Sequence, residues 1–230
     1  MKKTSLALAA LVGGTLYLSA PAAMAFGLGN ITSAIPGVGG ASASASAVSA
    51  GDIDAFIQTA NDANQMIGTS SAHIFKALAS KEEIAALEAR LAAANAIADP
   101  AEKAAEISKI KSDEATAVQK ALASKEGEAK LSAMNKAQMT SFGNAAFTFM
   151  LGVLKDKQLA DGSTALVSGV ASNPTLVTRL GALKDVASSV SSQVANTAKI
   201  GEGLVKLAKA GKIAALPTSA SEKPKKVEEI

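Results

Sequence analysis

The side chains that usually carry acid–base chemistry are few in this sequence. His73 is its single histidine, and no Asp or Glu lies three or four residues away on the predicted helix to orient the imidazole. A lone helical histidine is typical of a packing or surface position, because catalysis needs partner groups. Cysteine is absent from the sequence, which excludes disulfides, thiolate metal sites and a cysteine nucleophile.

The acidic and hydroxyl side chains do not complete a catalytic or metal site either. Within the predicted bundle, adjacent carboxylates occur as two pairs, Glu82-Glu83 and Asp113-Glu114. Neighbouring residues on a helix point about 100° apart, so neither pair shares a face as a glycosidase or metal dyad does. The serines of residues 188–192 lie in no G-x-S-x-G motif, and no E-x-x-H motif occurs. The sequence therefore predicts no catalytic residue, no metal ligand, no cofactor and no enzyme.

The first 25 residues have the pattern of a cleaved signal peptide. Lys2 and Lys3 precede an apolar run from Leu6 to Leu18, and Ala23-Met24-Ala25 is a small-x-small cleavage site. The apolar run is shorter than the roughly 20 residues that span a bilayer. We therefore expect an exported protein of a bacterial envelope, periplasmic or extracellular.

The charge of the chain argues against nucleic acid as a partner. Loss of the two N-terminal lysines with the signal peptide lowers the formal net charge from +3 to +1. Arg90 and Arg179 are the only arginines, and no dense basic cluster surrounds them. Binding to phosphates requires a clustered basic surface, so we expect no nucleic-acid partner.

Apolar residues follow a helical period from Gly51 onward. The first predicted helix has one apolar face, made of Ile53, Phe56, Ala60, Ala63, Ile67, Ser70, Ile74 and Ala77. A capping box at Ser80 and Glu83 predicts the second helix, and Asp99-Pro100 predicts the third. Asp161-Gly162 predicts a turn, and Asn173-Pro174 the start of the last long helix.

These signals predict an all-α fold, an elongated antiparallel bundle of five to six helices. The helix seams are rich in alanine, which lets helices approach closely in a coiled-coil-like arrangement. Three further segments flank or precede the bundle of residues 51–211. They are the signal peptide (1–25), a flexible Gly/Ala/Ser-rich lead (26–50) and a disordered tail (212–230). In such a bundle we expect the phenylalanines beyond the lead to meet in one core.

A heptapeptide occurs twice in the predicted bundle. KALASKE spans residues 76–82 and again residues 120–126, a separation of 44 positions. Duplication of a helix–cap–helix unit accounts for the repeat, and so does chance in a chain rich in Ala and Lys.

The segment Phe142–Leu154 is apolar on every side, which is typical of a buried helix or of one in lipid. With the turn at Asp161-Gly162 and residues 164–171, it is similar in outline to the hydrophobic hairpin of α-helical pore-forming toxins. Its 13 residues are too few to span a bilayer, which favours a central core helix. The candidate membrane or ligand contacts are Phe142, Phe147, Phe149, Met150, Leu151 and Leu154. A ligand carrier would add Phe56 and Phe75 around a cavity.

The stretch Lys199–Leu216 is amphipathic. Lys199, Lys206 and Lys209 lie on one predicted face and form a candidate surface for an anionic membrane. The alternative is a last helix that ends near Gly211, with lysines complementing the negative end of its dipole.

The prediction for function combines export, long helix faces and the missing catalytic groups. We expect a non-enzymatic helical bundle that binds an envelope or extracellular protein. The alternatives are a membrane-active protein that inserts residues 142–171, and a carrier of a small apolar ligand. The same helix faces are compatible with a homo-oligomer.

Overall fold

The computed structural model describes residues 48–228, and every regular element in that range is helical. The α-helices are α1 (Ala50–Leu78), α2 (Lys81–Asn95), α3 (Pro100–Ala123), α4 (Lys125–Ala133), α5 (Lys136–Ala171) and α6 (Leu180–Lys209), and a 3₁₀ turn spans Val177–Arg179. This architecture confirms the predicted all-α bundle. The predicted signal peptide, and the predicted lead as far as residue 47, lie outside the described residues.

Capping side chains set where most of the helices begin. Ser80 Oγ accepts a hydrogen bond from the Glu83 amide, and Glu83 accepts one from the Ser80 amide, as the capping box predicted. Each such side chain satisfies a backbone N–H that the first helical turn leaves without a partner. The side-chain N-caps of α1 to α5 are Ser49, Ser80, Asp99, Ser124 and Asn135.

The two copies of the heptapeptide form the same helix junction. Ser80 ends the turn after α1 and caps α2, and Ser124 occupies the same place between α3 and α4. The Lys130 ammonium of α4 donates a 2.7 Å hydrogen bond to the Leu78 carbonyl at the end of α1. The second junction therefore lies against the first, and a lysine satisfies one of the last carbonyls of α1.

The predicted turn at Asp161-Gly162 is wrong, because α5 runs through it as one 36-residue helix. Lys157 and Asp161 form an ion pair of 2.9 Å one turn apart along this stretch. Leu159 and Leu166 are buried on either side of the dipeptide. Their burial outweighs the roughly 1 kcal/mol that a glycine costs inside a helix.

The last helix begins later than predicted. Asn173 Oδ1 accepts hydrogen bonds from the Thr175 amide and hydroxyl, which holds a local turn instead of a first helical turn. A 3₁₀ turn follows, and α6 starts at Leu180. Arg179 reaches back to the first helix and pairs with Asp54 at 2.6 Å.

Most of the buried apolar side chains form two clusters, which are built mainly from α1, α5 and α6. The Phe149 cluster contains Ile67, Ile74, Phe75, Leu78, Val118, Leu131, Phe142, Ala145, Ala146, Phe149, Ile200, Leu204 and Ile213. The Phe56 cluster contains Ile53, Phe56, Ala60, Leu159, Leu166, Val170, Leu176, Leu183, Ala187 and Val190. The expectation of a single phenylalanine core is therefore wrong, since Phe56 lies apart from Phe75, Phe142 and Phe149.

Small residues join the two clusters and bring α1 and α5 close together. Ala63 is fully buried between the two clusters on α1, and Gly152 holds the matching place on α5. A Cβ on Gly152 would lie 2.7 Å from Ile67 Cγ1 and 3.0 Å from the Ala63 carbonyl oxygen. The predicted close approach of alanine-rich seams is realised here by one glycine and one alanine.

The C-terminal tail also differs from the prediction of disorder. After α6, Gly211 turns the chain with a φ of 68°, and Ile213 is buried in the Phe149 cluster. Residues 212–228 contain no helix, but they lie against α5 and form hydrogen bonds with it. The tail is therefore irregular in conformation, and its last described residues lie on α5.

Candidate functional site

The six predicted contact residues of α5 are part of the bundle interior. Phe142, Phe149 and Leu151 are fully buried, and Phe147 is 6% exposed. Met150 and Leu154 are half-buried. Tight packing of these side chains gives them a structural role in this conformation.

A cavity lies elsewhere, at the surface of the bundle. It has a volume of about 280 Å³ and opens between the ends of α3, α4 and α6. Its lining includes Leu122, Leu131 and Leu207, and it contains none of the phenylalanines proposed for a carrier. No helix within residues 48–228 is both long enough and apolar enough to cross a membrane.

The predicted basic face of α6 is exposed as a stripe of three separate ammonium groups. Lys199, Lys206 and Lys209 point away from the bundle, whereas Ile200 and Leu204 are buried on the opposite side. The helix ends at Lys209, so Lys206 and Lys209 lie in its last turn. There they complement the negative end of the helix dipole.

The acid–base candidates are dispersed in space. His73 is half-buried on α1. Asp113 pairs with Arg90 of α2 at 2.8 Å, whereas burial raises the pKa of Glu114, and a hydrogen bond from Ser71 of α1 opposes that rise. Across the described residues, no three His, Asp or Glu side chains are grouped to hold a metal ion.

Sequence reasoning missed two neighbouring buried titratable residues of α5, Lys155 and Asp156. Lys155 is 7% exposed, and burial lowers the pKa of its ammonium while the charge of Asp62 opposes that shift. Asp156 is fully buried, and neither carboxylate oxygen has a hydrogen-bond partner among the described residues. Burial raises the pKa of Asp156 to about 7.

A signal for this carboxylate was present in the sequence. Asp156 follows Phe149 and Gly152 at the 3/4 spacing that continues to Leu159, so it shares the buried face of α5. A buried carboxyl without a partner is costly when ionised, so the stability of the contact between the two clusters depends on the protonation of Asp156.

Helices α2 and α3 form a hairpin that stands at the edge of the bundle. Of the 15 residues of α2, Ala94 alone is buried. α2 contacts mainly α3, and the buried residues of α3 are Ile110 and Val118 in its second half. Ile84 and Leu87 of α2 pack against the Phe149 cluster, whereas the outer face of α2 and the first half of α3 are exposed.

Polar contacts fix the geometry of the hairpin. Arg90 of α2 lies 2.8 Å from Asp113 and 3.9 Å from Glu106, both on α3. The Lys103 ammonium donates to the Asn95 carbonyl at 3.1 Å and so satisfies a carbonyl at the end of α2. A bridging arginine and a capped helix end keep the two helices in one register.

The exposed face of α2 carries small side chains between charged ones. Ala85, Ala89 and Ala92 recur at 3/4 spacing and are all exposed, as are Lys81 and Glu88. Alanine at such spacing allows another helix to pack at a short interaxial distance.

Comparisons with protein-family models, curated proteins and solved structures gave no match to this chain.

Proposed function

We propose that this chain is an exported, non-enzymatic helical bundle that binds another protein of a bacterial envelope through its α2–α3 hairpin. The observation that carries the proposal is the exposure of α2, in which Ala94 is the only buried residue. Export rests on the signal-peptide pattern of residues 1–25.

The composition of the exposed hairpin surface suits a partner helix. Ala85, Ala89 and Ala92 offer a narrow apolar strip with little side-chain entropy to lose on binding. Lys81 and Glu88 flank this strip with charges of both signs, which would select the register of a partner, and Glu88 lies 3.7 Å from the Lys76 ammonium of α1.

The helical conformation of the hairpin supports the same function. Helix α2 is formed over Lys81–Asn95, and Arg90 lies 2.8 Å from Asp113 and 3.9 Å from Glu106 of α3. A preorganised surface binds more tightly than one that must be ordered on binding.

Lysine-reactive cross-linking in intact cells of the native host, read by mass spectrometry, tests this proposal. We expect cross-links from Lys81, Lys109 and Lys111, which are exposed on the hairpin, to one recurring partner protein. Lys184 and Lys199 of α6 are also exposed and serve as internal controls. An equal distribution of partner cross-links between the hairpin and α6 would contradict the assignment of the hairpin.

A further inference from the structure

The last described residues lie along α5 in a regular hydrogen-bonded arrangement. Thr148 Oγ1 donates to the Lys225 carbonyl and accepts from the Lys225 amide, each at 3.1 Å. Asn144 Nδ2 donates to the Lys226 carbonyl at 2.9 Å, and Ser141 Oγ donates to the Glu228 carbonyl. We call Ser141, Asn144, Phe147 and Thr148 the tail site.

The spacing of these side chains matches an extended peptide. Ser141 and Thr148 are seven residues apart, which is about 10.5 Å along a helix. Lys225 and Glu228 are three residues apart, about 10 Å along an extended chain. The side-chain donors of residues 148, 144 and 141 therefore reach the carbonyls of residues 225, 226 and 228 in that order, and the tail runs antiparallel to α5.

Two side chains give the tail site a sequence preference. The Lys225 ammonium lies 4.1 Å from the centroid of the Phe147 ring, a distance at which a cation is attracted to the ring face. Val227 packs against the Phe149 cluster. The tail site therefore favours an extended segment with lysine and, two residues later, an apolar side chain.

The tail is attached loosely compared with the helices. Residues 223–226 are exposed, and Val227 is only half-buried. The preceding loop is held by Glu222, whose carboxylate accepts hydrogen bonds from the Thr218 and Ser219 amides at 2.6 and 3.1 Å. These bonds are local to residues 218–222, so they are kept when the segment after the buried Pro217 leaves the tail site.

We propose that the tail site also takes the C-terminal segment of a second copy of this chain, so that two copies associate by exchanging residues 218–228. The main-chain hydrogen bonds, the Lys225–Phe147 contact and the burial of Val227 are the same whether the tail belongs to its own bundle or to another. Lys225 lies eight positions after the buried Pro217, and this stretch spans about 26 Å when extended, a length that lets the tail reach α5 of a second copy.

Two single-cysteine chains provide the test, since the natural sequence contains no cysteine. One chain carries Thr140→Cys, one turn from Asn144 on α5, and the other carries Lys226→Cys, which leaves the Lys226 carbonyl in place. The two full-length chains are mixed and treated with a short bis-maleimide, and the heterodimer is identified by its mass. We expect its yield to rise with protein concentration.

Three controls make the result decisive. A chain with Lys109→Cys replaces the Thr140→Cys chain and measures random collision. Adding Thr148→Val to the Thr140→Cys chain removes two hydrogen bonds, and should lower the heterodimer yield about tenfold. A chain with both Thr140→Cys and Lys226→Cys measures docking within one molecule.

The proposal fails if the heterodimer yield does not exceed that of the Lys109→Cys control. If the heterodimer is absent while the doubly substituted chain cross-links internally, the tail site serves its own tail alone. If the doubly substituted chain does not cross-link either, the tail site is not occupied in solution, and the proposal fails with it.

Discussion

The hydroxyl of Thr148 satisfies both main-chain groups of Lys225, donating to its carbonyl and accepting from its amide at 3.1 Å. A helical threonine more often bonds the carbonyl four residues earlier, as Thr140 does with Lys136. The side chain of Thr148 is therefore committed to the tail, and the contact couples the C-terminal segment to the central helix of the bundle.

Replacing Thr148 with valine should release the tail and leave the bundle intact. Valine has a similar shape but no hydroxyl, so two hydrogen bonds to Lys225 are lost. We expect cleavage after Lys225 and Lys226 by a lysine-specific protease to become about tenfold faster. Thr140→Val is the matched control, because the Thr140 hydroxyl bonds within its own helix. Equal cleavage of the two variants would mean that Thr148 does not hold the tail.

Asp156 should make the stability of the bundle depend on pH. Its pKa is about 7 in the folded chain, against an ordinary value of 3.8, so folding binds a proton between these two pH values. The free energy of unfolding therefore falls as the pH rises from about 4 to 7, by a contribution on the order of 4 kcal/mol, and stays low above pH 7.

The variant Asp156→Asn should remove this pH dependence. We expect it to unfold at a higher urea concentration than the natural chain at pH 8, and to differ little from it near pH 4.5. Asp161→Asn, on the exposed side of the same helix, should not raise stability at pH 8. If Asp156→Asn is no more stable than the natural chain at pH 8, ionisation of the Asp156 carboxyl does not destabilise the folded state.

Gly152 should tolerate no larger side chain, because α1 lies against it. In Gly152→Ala the new Cβ would lie 3.0 Å from the Ala63 carbonyl oxygen, so the helices must separate. We expect a loss of about 1–3 kcal/mol in the free energy of unfolding, measured by urea denaturation. Gly68→Ala is the control: no atom lies within 4 Å of its new Cβ, so helix propensity should make it neutral or stabilising. Equal effects of the two substitutions would contradict the close packing of α1 and α5.

The natural chain should not release dye from liposomes at micromolar concentration. Insertion of residues 142–171 requires Phe142, Phe149 and Leu151 to leave their buried positions, and no turn divides α5 into a hairpin. Leakage from vesicles with anionic lipid, measured by fluorescence dequenching, checks this expectation. Release that depends on protein concentration would favour the membrane-active alternative over the hairpin proposal.

The parts of the fold with a local cause were predictable from the sequence. The capping box of Ser80 and Glu83 and the cap at Asp99 require only neighbouring residues, and the buried face of α1 follows from a 3.6-residue period. The Asp161-Gly162 turn was wrong because burial on both sides of the dipeptide overrides its local preference. The burial of Asp156 was not predicted, because an ionised carboxylate is costly to bury, although its position lies on the core face of α5.

The order of the tail had no local signal. Its composition of Lys, Glu and Pro is typical of disorder. The hydrogen bonds that fix it join residues 77 to 87 positions apart, from Thr148 to Lys225 and from Ser141 to Glu228. The exposure of α2 and α3, in contrast, had a signal in the sequence, because charged residues are dense over residues 80–130.

The most direct test of the proposed function is partner cross-linking in the native host with one substitution on the hairpin. Ala89→Arg places a long charged side chain in the exposed alanine strip of α2, and Ala182→Arg places the same side chain at an exposed position of α6. We predict that Ala89→Arg abolishes the recurring partner cross-links of Lys81 and Lys109, while Ala182→Arg leaves them unchanged. Partner cross-links that persist in Ala89→Arg at the natural level would contradict recognition through the α2–α3 hairpin.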